Sequence, residues 1–453
     1  MTIRQQINSI AENRILILDG AMGSLIQTLN LGKICIDNLC LTNPQRIIDI
    51  HNAYLEAGAD IIETCSFNST AVSLADYGME FQAYDISLAS ARIARECANK
   101  FSSADKPRFV AGSIGPTAKG ASLYPDINDP GKRSICWNTL QEAYYDNARG
   151  LLDGGADILI VETVFDTLNA KAALFAISQL MQERQIDIPV IVSASLSGET
   201  DRLLSGQNLE AFRISVQHIN PLAIGLNCSF DAEKLLPFVR TISKVTPCLV
   251  CAYPNAGFPN NIGLYEETPE TMSAKIEEYF KEKLVNIIGG CCGSVPAHIE
   301  AIAKKAANYT PREIPAVINK DTEIELSGNE PLCLEKADIN NISNINSKDI
   351  DDFRHALADG EFEEAADIAR EIIDNGAPVM PIEINDEKIL TRFLDYALMN
   401  PYISKVPFYF ISSNFKVLEI GLKRVQGKGL AGPVNNEESE IIKRYGAHPI
   451  INV

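Results

Sequence analysis

Histidine and tryptophan are scarce in this chain of 453 residues, with five of the first and one of the second. His51, His218, His298, His355 and His448 are scattered, mostly over helical stretches. That distribution supports neither a histidine-based metal site nor a Ser-His-Asp arrangement. Positive charge is the minority sign. Forty Lys and Arg face 59 Asp and Glu, and the formal charge of −19 argues against a broad nucleic-acid or anionic-membrane surface. No run approaches the roughly 18 apolar residues of a membrane-spanning helix. The opening Met1-Thr2-Ile3-Arg4-Gln5-Gln6 lacks the apolar core of a signal peptide. A G-x-G-x-x-G fingerprint is also missing, since Asp19-Gly20-Ala21-Met22-Gly23 after the first apolar run has the wrong spacing. Cysteine, by contrast, is plentiful. Eleven cysteines, an odd number, do not make a secreted disulfide framework in this length. They fit a reducing cytoplasm, where thiols stay available for metal.

With 46% hydrophobic residues the chain can bury a full core. Its first three hundred residues repeat an apolar run, a polar or Gly-rich turn, and a helical stretch. The runs are Arg14–Leu18, Asp60–Thr64, Arg108–Ala111, Asp157–Glu162, Val190–Ser193, Ala223–Asn227, Cys248–Ala252 and Val285–Ile288. Helical segments such as Pro44–Ala57, Tyr84–Lys100, Asn138–Asp153, Thr167–Arg184 and Pro269–Glu282 lie between them. Strands that are apolar throughout and alternate with helices imply a parallel sheet covered on both faces. Eight such units predict an α/β fold, a (β/α)8 TIM barrel, with a doubly wound open sheet as the alternative.

In a barrel of this kind chemistry sits where strands end. Val285-Asn286-Ile287-Ile288-Gly289-Gly290-Cys291-Cys292-Gly293 ends an apolar run in two adjacent cysteines fenced by glycines. Neighbouring strand residues point to opposite faces, so both thiols can face one point only where the strand has ended. Gly290 and Gly293 permit that bend. Cys228 follows another apolar run, 222–227. Three thiolates at two strand ends suit a zinc ion with its fourth position open. The same residues could instead be three buried thiols or a vicinal disulfide. The shared rim also carries Asp19, Thr64, Ser113, Glu162 and Asn227 as candidate substrate-binding residues. Asp19 and Glu162 could hold a substrate ammonium, or could cap the helices that follow. Gly112-Ser113-Ile114-Gly115-Pro116-Thr117 could offer amides to a carboxylate, or be only a tight turn. Cys248-Leu249-Val250-Cys251 has redox or zinc spacing but falls within a strand, which sends its thiols to opposite faces. It reads as packing, as do Cys35, Cys40, Cys65, Cys97, Cys136 and Cys333, which have no partner at metal spacing.

Several of these stretches recur in order in one family. Leu18-Asp19-Gly20-Ala21-Met22-Gly23, Glu63-Thr64-Cys65-Ser66-Phe67-Asn68, the 112–117 turn and Glu162-Thr163-Val164-Phe165-Asp166-Thr167 are followed by Leu204-Ser205-Gly206-Gln207, Gly225-Leu226-Asn227-Cys228, Tyr253-Pro254-Asn255-Ala256-Gly257 and Gly289-Gly290-Cys291-Cys292-Gly293. From about residue 10 to 305 the chain resembles the homocysteine S-methyltransferases, with motifs nearest those of the homocysteine-binding barrel of cobalamin-dependent methionine synthases. The resemblance implies zinc on Cys228, Cys291 and Cys292, with the homocysteine sulfur as fourth ligand. It implies that Asp19 and Glu162 lie near the homocysteine amino group. Zinc would make the thiolate available at neutral pH, and the methyl would move by in-line attack. The expected donor is methylcobalamin on a separate corrinoid protein. A sulfonium such as S-methylmethionine is the alternative donor. A non-catalytic subunit that binds homocysteine or a corrinoid protein is the alternative role.

The first domain is expected to span 1–309. Thr310-Pro311-Arg312-Glu313-Ile314-Pro315 leaves it, and residues 310–349 read as a linker with little regular structure. The βα rhythm resumes over 350–453, with helices over Ile350–Asn375 (interrupted near Gly360), Glu387–Met399 and Phe415–Val425. Strands are expected over Val379–Ile384, Pro407–Ile411, Gly429–Gly432 and Pro449–Val453. This tail resembles a truncated folate-binding half-barrel, through Val406-Pro407-Phe408-Tyr409-Phe410-Ile411-Ser412-Ser413 and Gln426-Gly427-Lys428-Gly429. It departs where that family reads the pterin. Pro381, Glu383, Ile411 and Gly432 stand at positions the family fills with polar groups, and its Glu-Arg-Thr-Asn turn has no counterpart in 340–347. Pterin binding is therefore not expected. An incomplete barrel would expose strand edges and apolar interior, so the tail should be covered by the first barrel, by the linker folded back, or by a second copy of the chain.

Overall fold

A computed structural model describes residues 1–27, 34–126, 128–129, 131–260, 265–315, 322–341 and 347–451. Eight parallel strands form the first sheet: β1 Leu16–Ile17, β2 Ile61–Glu63, β3 Phe109–Ile114, β4 Ile158–Val164, β5 Val190–Ala194, β6 Ala223–Asp231, β7 Leu249–Asn255 and β8 Ile287–Ile288. Each pairs with its sequence neighbour, β1 pairs with β8, and a bridge from Leu18 to Ile61 closes the ring. Asp60 pins that seam. Its buried carboxylate accepts from the Ile17 amide at 2.9 Å and takes both Arg14 guanidinium nitrogens at 2.6 and 2.9 Å. The barrel is the expected one, and the open-sheet alternative is set aside.

The strands are apolar on both faces because both are buried. Leu16, Ile61, Phe109, Ile158, Ile160, Ile191, Leu249, Cys251 and Ile287 fill the interior. Alternate residues such as Ile17, Ile62, Val110, Leu159, Val192 and Val250 face the surrounding helices. Ile7 and Ala11 of the first helix, Ile3–Ala11, join the interior cluster, and Arg4 of that helix donates to the Asn220 carbonyl just before β6. The helix thus stops the end of the barrel opposite the active rim.

The linker departs from expectation. Residues 323–335 form an antiparallel hairpin of β9 Glu323–Ser327 and β10 Pro331–Glu335. The alternation in Ile324 and Leu326 is a half-buried strand pattern, too short to stand out in the sequence. The tail then follows the expected rhythm: helices Ser347–Asp359, Phe362–Asp374, Glu387–Ala397 and Phe415–Leu422 alternate with β11 Met380–Glu383, β12 Phe408–Ile411, β13 Leu430–Val434 and β14 His448–Ile451. A helix at Asn436–Arg444, not anticipated, connects the last two strands. The four strands form one parallel sheet in chain order. The absent turn expected from residues 340–347 lies largely outside the described residues.

One face of the tail's sheet is covered from within the chain. Ile324 and Leu326 of the hairpin cluster with Val379, Leu430, Tyr409 and Ile450 on one face of the small sheet. Phe408 and Phe410 face the other way, toward the helices, with ring centroids 6.0 Å apart. The hairpin is tied to both sides. Glu325 takes Arg213 of the first barrel at 2.6 and 2.7 Å, while the Asn329 amide donates to the Ser404 carbonyl at 2.8 Å. The Gly-Lys-Gly turn of the tail is clamped onto it, since a side chain at Gly427 would meet the Ser327 carbonyl oxygen at 1.9 Å. The barrel helix Thr167–Arg184 is buried almost all round because its second face carries the tail. Phe175 stacks on Tyr445 at 4.5 Å, and Lys171 donates to the Val425 and Gly427 carbonyls at 3.1 and 2.9 Å.

Candidate metal and substrate site

Cys228, Cys291 and Cys292 converge at the carboxyl end of the barrel strands, with their three sulfurs within 4.8 Å of one another. No other group of three potential ligands comes this close among the described residues. The Cys228 and Cys292 sulfurs are 3.9 Å apart. Tetrahedral thiolates at about 2.3 Å from zinc would stand roughly 3.8 Å from each other, close to the spacing the Cys228 and Cys292 sulfurs already have. All three are free thiols, and the vicinal disulfide considered for Cys291 and Cys292 is not formed.

The backbone achieves this in two ways. After β8 the chain turns through glycines. Gly293 has φ +81°, and a side chain there would meet Tyr265 at 2.2 Å. The Cys291 amide donates to the Pro254 carbonyl and the Ala256 amide to the Cys292 carbonyl, which fixes both thiols. Cys228 is placed differently from expectation. It is not past the end of its strand but inside β6, where the register slips between Asn227 and Asp231. Cys228 and Ser229 have φ of 56° and 58°, and Thr163 in the matching irregularity of β4 has 54°. Non-glycine residues rarely hold this conformation, and bulges of this sort re-aim side chains at functional sites. Asn227 braces the arrangement. Its Oδ1 accepts from the Thr163 amide and the Ser193 hydroxyl at 3.0 and 2.7 Å, and its Nδ2 donates to Thr163 Oγ1 at 2.8 Å and to the Cys291 sulfur at 3.9 Å.

Beside the thiols lies a cavity of about 330 Å³ whose walls include Thr64, Ser113, Glu162, Cys65 and Tyr265. Glu63 is a wall residue too and was not among the candidates, although it ends the second apolar run. Among the described residues no lysine, arginine or histidine lines the cavity. Glu162 and Glu63 belong to the wall, and Asp19 stands behind it with Oδ2 accepting the Glu63 amide at 3.0 Å. Asp19 Oδ1 and Glu63 Oε1 are buried without a partner among the described residues. Glu162 takes a very short hydrogen bond from the Ser113 hydroxyl. Burial drives all three acids toward their protonated forms. Glu162 is pushed up to about 7, and Asp19 and Glu63 are also pushed well up, both helped by repulsion from Glu162 and Glu63 also by repulsion from Asp19. The thiols are in similar conflict. Hydrogen bonds from its two neighbours pull Cys228 down, while Cys291 is pushed well up. A cavity with this much latent negative charge, and no cation among the described residues of its wall, suits a divalent metal and an ammonium group.

The remaining expectations divide. Thr64 and Ser113 are in the wall, but Thr64 Oγ1 already accepts the Ser113 amide at 2.9 Å and contacts Ser66 Oγ at 2.6 Å. Asn227 is a brace behind the thiols. The 112–117 segment is not a tight turn: residues 112–114 end β3 and 115–117 leave it, and the Gly115 amide is spent on the Phe67 carbonyl at 3.1 Å, where a side chain at Gly115 would meet that oxygen at 2.3 Å. Cys248 and Cys251 remain apart in role, one just before β7 and one in the barrel interior. Tyr265, beside Cys292, was not anticipated, because nothing in the sequence ties its loop to Gly293.

Fold and site together define a parallel barrel with a thiol-lined metal pocket at its rim. Residues 16–306 match the family model described as homocysteine S-methyltransferase. The chain belongs to that family. The homocysteine methyltransferase MmuM from Escherichia coli, in its metallated form, aligns at a TM-score of 0.52 and 23% identity, covering 66% of this chain and 98% of that one. Its oxidised form aligns at 0.52 and 23%, over 64% and 96%. These similarities speak for the shared barrel. None of the helices in the described residues is long and apolar enough to cross a membrane.

Proposed function

We propose that this chain is a zinc-dependent enzyme that methylates homocysteine to methionine, holding zinc on Cys228, Cys291 and Cys292. The observation that carries the reading is the meeting of three thiols with a cavity that buries carboxylates and, among the described residues, has no cation in its wall. Homocysteine offers what such a cavity lacks, an ammonium at one end and a thiol at the other.

A thiol must lose its proton before its sulfur attacks well. Zinc, when bound, supplies the Lewis acidity that removes that proton near neutral pH. The chain's own residues do the rest. Glu63 and Glu162, with Asp19 behind them, become carboxylates as the substrate ammonium enters, and they hold it at a fixed distance from the thiols. Asn227 and the bulge in β6 hold Cys228 and Cys291 in place so that the substrate sulfur arrives in one orientation. The sulfur then forms its bond to the donor methyl carbon as the donor takes the electron pair of the breaking bond. Positioning of this kind is the protein's main contribution to the rate.

The donor proposed is methylcobalamin presented by a separate corrinoid protein, supported by the motif resemblance. A sulfonium donor such as S-methylmethionine is the competing case. The setting proposed is the reducing cytoplasm, where the three thiols stay unoxidised. The test is metal analysis followed by a donor screen. About one zinc per chain and methionine formation from methylcobalamin are expected. Full activity in Cys291→Ala would sink the mechanism, and turnover only with the sulfonium would reassign the donor.

A further inference from the structure

A second cavity, of about 380 Å³, opens at the junction of barrel and tail, far from the thiols in the fold. Arg133, Trp137 and Asn138 come from the barrel side, and Thr391, Lys423 and Arg424 from the tail. Among the described residues three cations line it and no carboxylate does, in a chain whose net charge is −19. Asp395 is shared by three arginines, Arg424 at 2.5 Å, Arg392 at 3.7 Å and Arg133 at 3.8 Å, and Asp129 also acts on Arg133. With Lys423 added, the positive groups still outnumber these two carboxylates. Lys423 makes no ion pair among the described residues, and its ammonium lies 5.9 Å from the Tyr445 ring.

Two further features lie at the same cavity. The helix Trp137–Gly154 begins at this cavity, and its first turn carries no acidic residue to answer the positive end of its dipole. Trp137, only 4% exposed, keeps its indole N–H buried and without an acceptor among the described residues. A buried donor without a partner is costly and is normally met by a ligand or water.

We propose that this junction is a binding site for a small phosphate-bearing anion, held by Lys423, Arg424 and Arg133 with the Trp137 indole and the helix start. Its occupant touches both units and so fastens the tail to the barrel. The reading stands independently of the methyl-transfer site, because none of its residues lines the thiol cavity.

Trp137 is the sole tryptophan, so its fluorescence reports this site alone. The zinc-loaded full chain would be titrated with inorganic phosphate and, separately, with glycerol phosphate, against chloride at matched ionic strength. Calorimetry in parallel covers binding that leaves the fluorescence unchanged. A saturable response to either phosphate but not to chloride is expected, the stronger probe showing whether the site takes free phosphate or an ester. Lys423→Gln breaks no ion pair of the folded chain and should weaken binding roughly tenfold, the loss of one charge-assisted hydrogen bond. Asn138→Ala should leave Tm nearly unchanged and weaken binding less. No saturable binding of either probe, or equal binding by wild type and Lys423→Gln, would overturn the proposal.

Discussion

Lys171 offers the sharpest test of how the tail is held. It is fully buried in the helix Thr167–Arg184, and its Nζ donates to the Val425 and Gly427 carbonyls. No carboxylate pairs with it among the described residues. Burial therefore pulls its ammonium down from 10.5 to about 7. A neutral amine has two N–H donors, matching the two carbonyls. Because the folded state disfavours the charged form, the unfolded chain binds more protons between about pH 7 and 10.5, and stability rises with pH across that window. The penalty on the charged form is on the order of 4 kcal/mol at pH 7, and most of it, about 3 kcal/mol, should be relieved by pH 9.5. Lys171→Met removes the titrating group and leaves two carbonyls bare at about 1–3 kcal/mol each. Urea unfolding would be followed by Trp137 fluorescence, since the Trp137 ring lies 5.7 Å from Tyr445 at the same junction. Subtracting the mutant's stability from the wild type's cancels other titrations. The difference should climb by about 3 kcal/mol between pH 7 and 9.5, with the mutant the less stable at the upper end. A flat difference would show that Lys171 is charged and solvated in the folded protein and does not clamp the tail as described.

Other outcomes follow from the site and the tail. Asn227→Ala should lower zinc affinity roughly tenfold or more by freeing Cys291 and Thr163, measured by competition with a chelator. Asp19→Asn, Glu63→Gln or Glu162→Gln should each weaken homocysteine binding in calorimetry while metal analysis still finds zinc; unchanged affinity in all three would remove the ammonium assignment. Leu326→Asp places a charge between hairpin and tail sheet, and should cost several kcal/mol in the tail's unfolding while zinc content is kept. Titration with methyltetrahydrofolate should show no binding above background, and micromolar affinity would mean that Pro381, Glu383, Ile411 and Gly432 do not have the effect assigned to them.

The barrel and the three thiols at its rim were legible in the sequence because both depend on local, repeated signals. Apolar runs such as 108–111 and 157–162 are buried on both faces whatever the details of packing, and glycines beside Cys291 and Cys292 mark a strand's end directly. The tail's elements were legible for the same reason. What could not be read depends on contacts between distant segments. Cys228 looks in sequence like a residue past its strand, and only the slipped pairing of β6 with β7 shows it inside a bulge at positive φ. Glu63 and Asp19 are separate motifs until the closing of the barrel seam puts the Asp19 carboxylate on the Glu63 amide. Residues 323–335 are too short and too polar on alternate positions to announce a hairpin. They become one because the tail's four-stranded sheet has an apolar face that must be buried, and Ile324 and Leu326 are near enough along the chain to bury it. Lys171 looks like an ordinary exposed helix lysine in sequence. Its burial and its lowered pKa exist only because the tail folds back onto that helix, an outcome fixed by which surfaces remained uncovered once each part had formed.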